Sequence, residues 1–393
     1  MSQTQVQSTV LETVVELLND NGFEGMARAM EVLINEAMKI ERSEFVGAGP
    51  WERSADRRGH ANGFKPKSVK TRIGELELRV PQVRGLSEGE ERFYPSALER
   101  GVRSERALKL AIAEMYVQGV STRKVADITQ ELCGLEISST QVSKASALLD
   151  EELSTWRQRA LGATPYLLLD ARYEKVRHGG SVIDSCVLVA IGVLPDGKRS
   201  VLGVSTSLSE AEVHWRAFLT DLQDRGLHGL ELITSDDHAG LGAARKAVFP
   251  SVPWQRCQFH IQQNAQSYVP KVSQRREVAQ DIRSVFDAPD VDEAKRLLRI
   301  IGDKWTESAP KLAAWMETAI AEGLTVFNVP LGHRKRLRTT NLLERTNKEL
   351  KRRTRVATLF PNEASLLRLV SAVLIEISEE WESGRKYLNM EQE

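Results

Sequence analysis

The amino-acid sequence predicts an α/β protein in which a mixed sheet follows a mainly helical region. Three observations support this fold class. Strand and helix patterns alternate along residues 164–257, helical patterns dominate before that segment, and residues 258–330 show helical periodicity without strands. We therefore expect one α/β domain with helical segments before it and after its first strands.

The composition is typical of a soluble protein with several domains. A chain of 393 residues exceeds one ordinary core, so about two to four domains are expected. Hydrophobic residues make up 41% of the chain, yet no stretch is long and apolar enough to span a membrane, and no signal peptide is recognisable. The three cysteines are widely spaced and odd in number, which fits a reducing cytoplasm and no disulfide framework.

The charges balance in total but are segregated along the chain. There are 54 basic and 54 acidic residues, a balance that argues mildly against a nucleic-acid partner. Residues 1–50, however, hold eight acids and three bases, whereas residues 333–355 hold ten bases and two acids. Because local patches steer ligands better than net charge does, the second segment indicates a polyanionic partner.

The first part of the chain combines amphipathic helices with one hairpin. Residues 5–45 predict two helices that serve packing or self-association. The segments SVKTRI and ELELRV flank Gly74, and apolar side chains alternate at Leu76, Leu78 and Val80. This pattern predicts a β-hairpin.

Residues 106–150 predict three helices. The first runs from Ala107 to Gln118, Ser121 or Thr122 can cap the second, and Ser138 or Ser139 can cap the third. A turn at Gly134 suits a helix-turn-helix motif that recognises DNA, and an ordinary helical hairpin is an equally good interpretation. In the first interpretation the outward-facing residues of the third helix are Ser139, Gln141 and Lys144.

The α/β segment has recognisable strands and helices. Strands are predicted at 166–176, 182–194, 200–207, 230–237 and 252–257, and helices at 209–225 and 239–247. Ser209 is the predicted cap of the first of these helices, and Trp215 and Trp254 are expected in the core. Farther along, residues 341–354 predict a basic helix, and a strongly apolar helix closes the chain.

Three aspartates at the ends of buried strands are candidate functional residues. Asp170 follows three leucines in a strand that is expected to be central and buried, where an unpaired carboxylate is costly. Asp236 and Asp237 end a second buried strand. The alternative for Asp236 is a cap on the helix that begins near His238.

Glu344 lies in the middle of the basic segment. A carboxylate there weakens phosphate binding unless a metal ion makes the two anions compatible. The structural alternatives are a capping box with Asn341 and an ion pair with Lys348, which is spaced one helical turn away.

Together these carboxylates predict a site for two divalent cations, Mg²⁺ or Mn²⁺, at which phosphodiester displacement takes place. The metal ligands would be Asp170, Asp236 and Glu344. The basic side chains of the same helix would hold the DNA backbone; they are Arg345, Lys348, Lys351, Arg352, Arg353 and Arg355.

Four motifs carry a family resemblance that covers essentially the whole chain. The segments LLLDARYEKVR, SDDHAGL, RCQFH and TTNLLERTNKELKRRTR, in this order, resemble those of bacterial insertion-sequence transposases of the Mutator-like family. The resemblance implies an RNase H-like catalytic domain interrupted by an all-helical insertion. It also implies a catalytic DDE triad of Asp170, Asp236 and Glu344, with 65 residues between the aspartates and 107 before the glutamate.

Two further motif positions receive supporting roles. The Cys-x-x-His element of the family falls on Cys257 and His260, which form half of a zinc site by spacing, so zinc is not expected. Cys257 is equally well explained as a small buried residue. Asp237 stands where the family usually has a small residue; since strand alternation lets only one of the two aspartates face the metals, we favour Asp236.

The sequence thus predicts a transposase that binds terminal inverted repeats. It would hydrolyse one strand to free a 3′-hydroxyl, and that hydroxyl would attack a phosphodiester of the target DNA. A dimer or larger assembly is expected. The alternative is a helix-turn-helix regulator with an inactive core; a carbohydrate hydrolase is a distant third because aromatics are only 6% of the chain.

The predicted parts are 1–105 (self-association or DNA ends), 106–160 (DNA binding), 161–257 (catalytic, first part), 258–332 (helical insertion) and 333–393 (catalytic, last part).

Overall fold

The computed structural model of the protein describes residues 3–86, 92–98, 104–355 and 359–391. The chain forms two compact units. The first comprises residues 1–116 and 120–148, and the second comprises residues 117–119 and 149–393.

The first unit contains two long helices, a hairpin and three shorter helices. Its elements are α1 (Gln3–Asn21), α2 (Met26–Val46), β1 (His60–Thr71), β2 (Gly74–Arg84), α3 (Arg106–Val117), α4 (Thr122–Cys133) and α5 (Ser139–Ser146). The predicted hairpin is confirmed, although Thr71 pairs with Gly74, so the turn lies two residues earlier than the strand pattern indicates. Leu76 and Leu78 are buried against Met38 of α2, which explains their alternation.

Side-chain caps set the bounds of α4 and α5. Ser121 Oγ accepts a hydrogen bond from the backbone N–H of Lys124, and α4 ends at Gly134, whose φ of 63° is the left-handed conformation of a helix C-cap. The N–H of Ser138 donates to Gln141 Oε1 (2.7 Å), while the N–H of Gln141 donates to Ser138 Oγ (3.3 Å). This reciprocal capping box selects Ser138 over Ser139 as the cap.

The second unit is built on a five-stranded mixed sheet. Its first elements are α6 (Asp150–Arg157), β3 (Tyr166–His178), β4 (Ser181–Val193), β5 (Arg199–Ser207), α7 (Glu212–Asp224), β6 (Leu232–Ser235), α8 (Ala239–Val248) and β7 (Trp254–Arg256). The strand order is β5-β4-β3-β6-β7. The first three strands in sequence pair antiparallel, and β3, β6 and β7 run parallel, as the sequence predicts.

The start of α7 differs from the prediction. Its N-cap is Ala211, which has no side-chain cap, so the expected cap at Ser209 is wrong. Ser209 Oγ instead accepts a hydrogen bond from the N–H of Ala211 at 3.3 Å. The hydroxyl therefore stabilises the turn before the helix rather than the helix itself.

Helices follow the last strand of the sheet. They are α9 (Gln258–Ala265), α10 (Arg275–Phe286), α11 (Val291–Thr306), α12 (Pro310–Ala319), α13 (Leu331–Leu337), α14 (Asn341–Thr354) and α15 (Glu363–Ser383). The bounds of α14 match the predicted basic helix. Among the described residues, no helix combines the length and the apolar character needed to cross a membrane.

The two faces of β3 meet different helices. Leu167 and Leu169 belong to the core cluster that also contains Trp215 of α7. On the opposite face, the hydroxyl of Tyr166 lies 2.9 Å from His333 Nδ1 on α13. Because side chains alternate along a strand, Asp170 lies on the same face as Tyr166, toward the helices that follow the sheet.

The buried tryptophan of α7 gives a test of this core. Trp215 is 0% exposed, so Trp215→Ala is expected to lower the free energy of unfolding by about 3–5 kcal/mol through lost contacts and a cavity. Chemical denaturation followed by circular dichroism measures the loss. Trp51, which is 102% exposed, provides the matched control: Trp51→Ala should change little, and equal losses for both variants would contradict this packing.

Candidate active site

The register of the sheet places Asp170 and Asp236 at the same level on neighbouring strands. In the parallel pair, Leu168 of β3 is opposite Thr234 of β6. Extending this register by two residues brings Asp236 opposite Asp170, just beyond the carboxyl end of β6. Thr234 Oγ1 donates to the carbonyl of Leu337 at 2.8 Å, so this face of the sheet is the one that the segment before α14 covers.

The Asp170 carboxyl is held in a buried position beneath α14. Its Oδ2 accepts a hydrogen bond from Asn347 Nδ2 at 2.8 Å. The pKa of Asp170 is raised to about 6, chiefly by burial and to a smaller extent by the charges of Asp236 and Glu210, against the N–H of Ala171 and the nearby His260, which lower it. The negative charge is therefore costly here without a cation.

The two adjacent aspartates have different partners. Asp236 Oδ1 lies 3.7 Å from His260 Nδ1, and its charge acts on Asp170. Asp237 Oδ2 instead pairs with Arg256 Nη1 at 3.0 Å. The structure thus brings Asp236 toward Asp170 and directs Asp237 to an ion pair, as the alternation of a strand requires.

Glu344 has neither of the structural roles considered for it. The N-cap of α14 is Thr340 and makes no side-chain cap, so Asn341 is already inside the helix and forms no capping box with Glu344. Among the described residues, Glu344 forms no ion pair, and its buried Oε1 has no hydrogen-bond partner. A buried carboxylate oxygen without a partner is expected to bind a ligand.

A cavity of about 650 Å³ lies between β3 and α14. Both acidic and basic side chains line it: Arg172, Tyr173, Glu174, Glu344, Asn347, Lys348, Lys351, Thr354 and Arg355. Arg172 is held by an ion pair with Glu174 and by the carbonyl of Asn347. Lys348, Lys351 and Arg355 are exposed, and no ion pair neutralises them among the described residues, so they give the rim a positive charge.

The remaining arginines of α14 do not join this face. Arg353 is only 5% exposed and donates to Glu349 and to both carboxylate oxygens of Glu376 on α15. Arg352 is paired with Glu349 at 2.7 Å, and Arg345 lines a different cavity. Arg353 therefore fixes α14 against α15, and we do not retain it among the DNA-binding residues.

Cys257 and His260 form a linked pair next to the aspartates. Cys257 is fully buried, and its Sγ accepts hydrogen bonds from the N–H and the hydroxyl of Thr340, both at 3.3 Å. Burial alone raises the pKa of the thiol, but His260 and Thr340 lower it overall. The contact with Cys257 raises the pKa of His260 to about 9, which places a positive charge near Asp170 and Asp236.

Several residues of the site were not predicted from the sequence. Asn347 donates to the Asp170 carboxyl, Arg172 donates to the carbonyl of Asn347, and Thr354 donates to Glu174 at 2.9 Å. The signal for Asn347 was present, because it lies one turn after Glu344 on the same helix face. Only the strand pairing shows why Arg172 and Glu174 matter.

The donor chemistry fits a hard divalent cation, although the ligands are not preassembled. Within the described ranges, no three His, Cys, Asp or Glu side chains lie close enough to hold one ion. Carboxylate oxygens are the ligands that Mg²⁺ and Mn²⁺ prefer. The unpartnered oxygen of Glu344 and the raised pKa of Asp170 are the two observations that favour a cation.

The residues predicted to read DNA lie in the first unit. Ser139, Gln141 and Lys144 of α5 are exposed, as expected, whereas Val142 is buried with Val125 and Leu135. Gln141 also closes the capping box of α5, so its side chain is partly committed to the helix end.

Comparisons with known sequences identify the family and several relatives. Residues 1–384 match the sequence model of the family described as "Transposase, Mutator family". The chain is similar to the transposase for insertion sequence element IS406 of Burkholderia multivorans, with 57% identity over 98% of both chains. It is also similar to the ISRM5 transposase of Rhizobium meliloti (43% identity, 98% of this chain and 95% of the relative). The IS256 transposase in transposon Tn4001 of Staphylococcus aureus shows 34% identity over 100% and 98% of the two chains.

The buried carboxyl predicts an unusual gain in stability. Asp170→Asn removes a carboxyl group whose pKa is raised from 3.8 to about 6. This shift corresponds to a destabilisation of the folded state by about 3 kcal/mol, at 1.36 kcal/mol per pKa unit. The variant should therefore be more stable than the wild type in EDTA above pH 6. Because a raised carboxyl pKa penalises the ionised folded state, the gain shrinks as the pH falls from 6 toward 3.8.

Urea denaturation at pH 4.5 and pH 8 measures this difference. Asp237→Asn is the matched control, because that carboxylate is 47% exposed and paired with Arg256. A gain of the same size in both variants, or one that does not depend on pH, would contradict the burial of an ionised Asp170.

Proposed function

Because this chain belongs to the Mutator family of transposases, we propose that it is a DNA transposase with a DDE active site. The observation that carries the proposal is the convergence of Asp170 and Asp236 on one face of the sheet beneath α14. This helix carries Glu344, with its unpartnered oxygen, and a row of exposed basic side chains. In the proposed reaction, water attacks a phosphodiester at the element end and frees a 3′-hydroxyl. The oxygen of that hydroxyl then attacks a phosphodiester of the target DNA, forms a new P–O bond and displaces the 3′ oxygen of the target strand.

We further propose that the catalytic domain is RNase H-like. A mixed sheet with three antiparallel strands followed by parallel strands supports this assignment. Residues 258–330 contain helices and no strand between β7 and the basic helix, as expected for a helical insertion. The insertion separates Asp236 from Glu344 in sequence while α14 returns to the sheet.

The proposed metal ligands are Asp170, Asp236 and Glu344, and the ions are Mg²⁺ or Mn²⁺. When bound, two such ions activate the attacking oxygen and stabilise the leaving oxygen of an in-line phosphoryl displacement. Asn347 orients the Asp170 carboxylate through its amide. The positive charge that Cys257 maintains on His260 offsets part of the repulsion between the two aspartates.

The basic rim of the cavity positions the phosphodiester. Lys348, Lys351 and Arg355 follow Glu344 along one face of α14 and are exposed. Their charges attract backbone phosphates independently of base sequence. Binding of the DNA backbone at this rim brings the scissile phosphate beside the carboxylates.

Recognition of the element's ends is assigned to α4 and α5. The turn at Gly134 and the exposed face of α5 suit entry of that helix into the major groove. The relatives are transposases of insertion sequence elements, and we propose that this chain likewise acts on the terminal inverted repeats of an element. Because two ends must be held together, a dimer or larger assembly is expected.

Glu344→Gln is the sharpest test of the catalytic assignment. The variant should lose strand cleavage and strand transfer by at least about 10²-fold, the scale of removing a group that stabilises a transition state. It should bind end DNA at least as tightly as the wild type, since one negative charge leaves the phosphate-facing helix. Glu349→Gln is the control on the same helix, because Glu349 pairs with Arg352 and Arg353.

The assay uses the DNA that flanks the reading frame, with Mg²⁺ or Mn²⁺, and includes Asp170→Asn, Asp236→Asn and Asp237→Asn. Products lost in the first two variants and in Glu344→Gln, but retained in Asp237→Asn, support the triad. Wild-type cleavage by Glu344→Gln would sink the assignment. Specific binding without any products from the wild type would favour a regulator with an inactive core.

A second prediction concerns α5. Lys144→Gln should weaken binding to end DNA by about threefold to tenfold in a gel-shift titration and reduce the discrimination against unrelated DNA, because this side chain lies on the proposed recognition helix. Lys246→Gln, an exposed lysine on α8, serves as the control. If Lys144→Gln and Lys246→Gln bind alike, α5 is not the reading helix.

A further inference from the structure

A second cavity in the same unit is basic and lies at the start of α14. It has a volume of about 450 Å³. Six basic side chains line it, and no acidic side chain does: Arg199, Lys335, Arg336, Arg345, Arg385 and Lys386. The other lining residues are Thr339, Asn341, Leu342 and Tyr387. The cavity shares no lining residue with the one beside Glu344.

The charges in this cavity are largely uncompensated. Within the described part of the chain, the only ion pair that involves these six side chains joins Lys386 to Glu391 at 4.0 Å. Burial lowers the pKa of Arg199; Tyr387 and Glu380 raise it, while Arg336 and Arg345 lower it. Positive groups held this close repel one another unless an anion lies between them.

Aromatic rings hold the arginines in place. The guanidinium of Arg199 lies 4.5 Å from the ring centre of Trp381 and 4.8 Å from that of Tyr387. The guanidinium of Arg336 lies 5.1 Å from the ring centre of Tyr387, and the Tyr387 hydroxyl donates to the carbonyl of Arg336 at 3.3 Å. Such stacking fixes planar guanidinium groups while leaving their N–H donors free to bind oxygen.

The segment after α15 completes the cavity. The backbone N–H groups of Tyr387 and Leu388 both donate to the carbonyl of Gly197, at 2.7 and 3.0 Å. Leu388 is 4% exposed, so its side chain anchors the segment. Arg385 and Lys386 are thereby carried next to Arg345 of α14 and Lys335 of α13. The cavity is therefore built from four separate parts of the chain.

We infer that this cavity binds a backbone phosphate of DNA, separately from the strand beside Glu344. The inference rests on the proposed function, because it takes DNA to be the substrate. Fixed guanidinium groups bind phosphate oxygens through two parallel hydrogen bonds, and the first turn of α14 adds the backbone N–H groups of Asn341 and Leu342, which line the cavity. Because the two cavities have separate lining residues, α14 contacts two positions of the nucleic acid.

The test compares full-length variants by fluorescence anisotropy with a labelled end duplex at several KCl concentrations. Lys335→Gln combined with Arg345→Gln should bind on the order of tenfold more weakly, and the slope of log K against log salt should fall by about 1, since one phosphate contact contributes about 0.9. Arg345→Lys should largely retain binding, because its charge remains. Lys295→Gln, an exposed lysine on α11, is the matched control.

Phosphate ethylation interference locates the contact. Wild-type binding should be blocked by ethylation at two sets of phosphates, of which the double variant loses one and Lys348→Gln with Lys351→Gln loses the other. An unchanged affinity, salt slope and ethylation pattern in the double variant would overturn the inference. If the Lys348/Lys351 variant is nonetheless weakened, the proposed function stands; a wild type that binds no DNA would overturn both.

A free anion is the other source of the same chemistry. Thermal shift with inorganic phosphate alone distinguishes it from the DNA backbone. Stabilisation of the wild type by phosphate that Arg345→Gln abolishes, together with unchanged DNA binding by that variant, would show a small-anion site and contradict the inference.

Discussion

The site depends on keeping an ionised carboxyl buried in the middle of a sheet. Asp170 lies on β3, the central strand, and its raised pKa records the cost of that position. A protein under selection for stability alone would place an apolar side chain there. The fold tolerates the charge because Asn347 donates a hydrogen bond to it and His260 supplies a nearby positive charge. The free-energy cost of this buried charge lies at the position where a bound divalent cation would reduce it.

The position of α14 follows from contacts at both of its ends. At its start, Thr340 donates two hydrogen bonds to the buried Cys257. At its end, Arg353 is held by Glu376 of α15, and Thr354 donates to Glu174 of β3. These contacts hold the Glu344 face against the sheet without any DNA present. They also explain why the Cys-x-x-His segment lies so near the aspartates: it connects the sheet to the helix that completes the site.

The net charge of the chain is zero, yet its basic groups fall into two sets, those in buried ion pairs and those that line cavities. Some arginines, such as Arg353 and Arg256, are buried in ion pairs and stabilise packing. Other basic groups, such as Lys348 and Lys351 beside Glu344 and Arg345 at the second cavity, form no ion pair among the described residues and line cavities. A buried pair is neutralised and cannot attract phosphate, whereas an unpaired surface group can. Net charge alone therefore gives no indication of these two local concentrations of positive charge.

The sequence alone determined the local features. The helix bounds at 341–354, the hairpin around Gly74 and the strand that contains Asp170 could all be predicted, because periodicity and turn residues act within a few positions. The three candidate carboxylates could also be named from burial and charge pattern. The start of α7 could not be predicted, because the Ser209 hydroxyl accepts a hydrogen bond in the turn before the helix and does not cap the helix.

Only the tertiary structure decided how those features meet. The register between β3 and β6 sets Asp236, rather than Asp237, level with Asp170. The rotation of α14 directs Lys348 and Lys351 to one cavity and Arg345 to another, and it buries Arg353. The strand register joins residues 66 positions apart, and the orientation of α14 is fixed by contacts between residues more than a hundred positions apart. No local pattern contains that information.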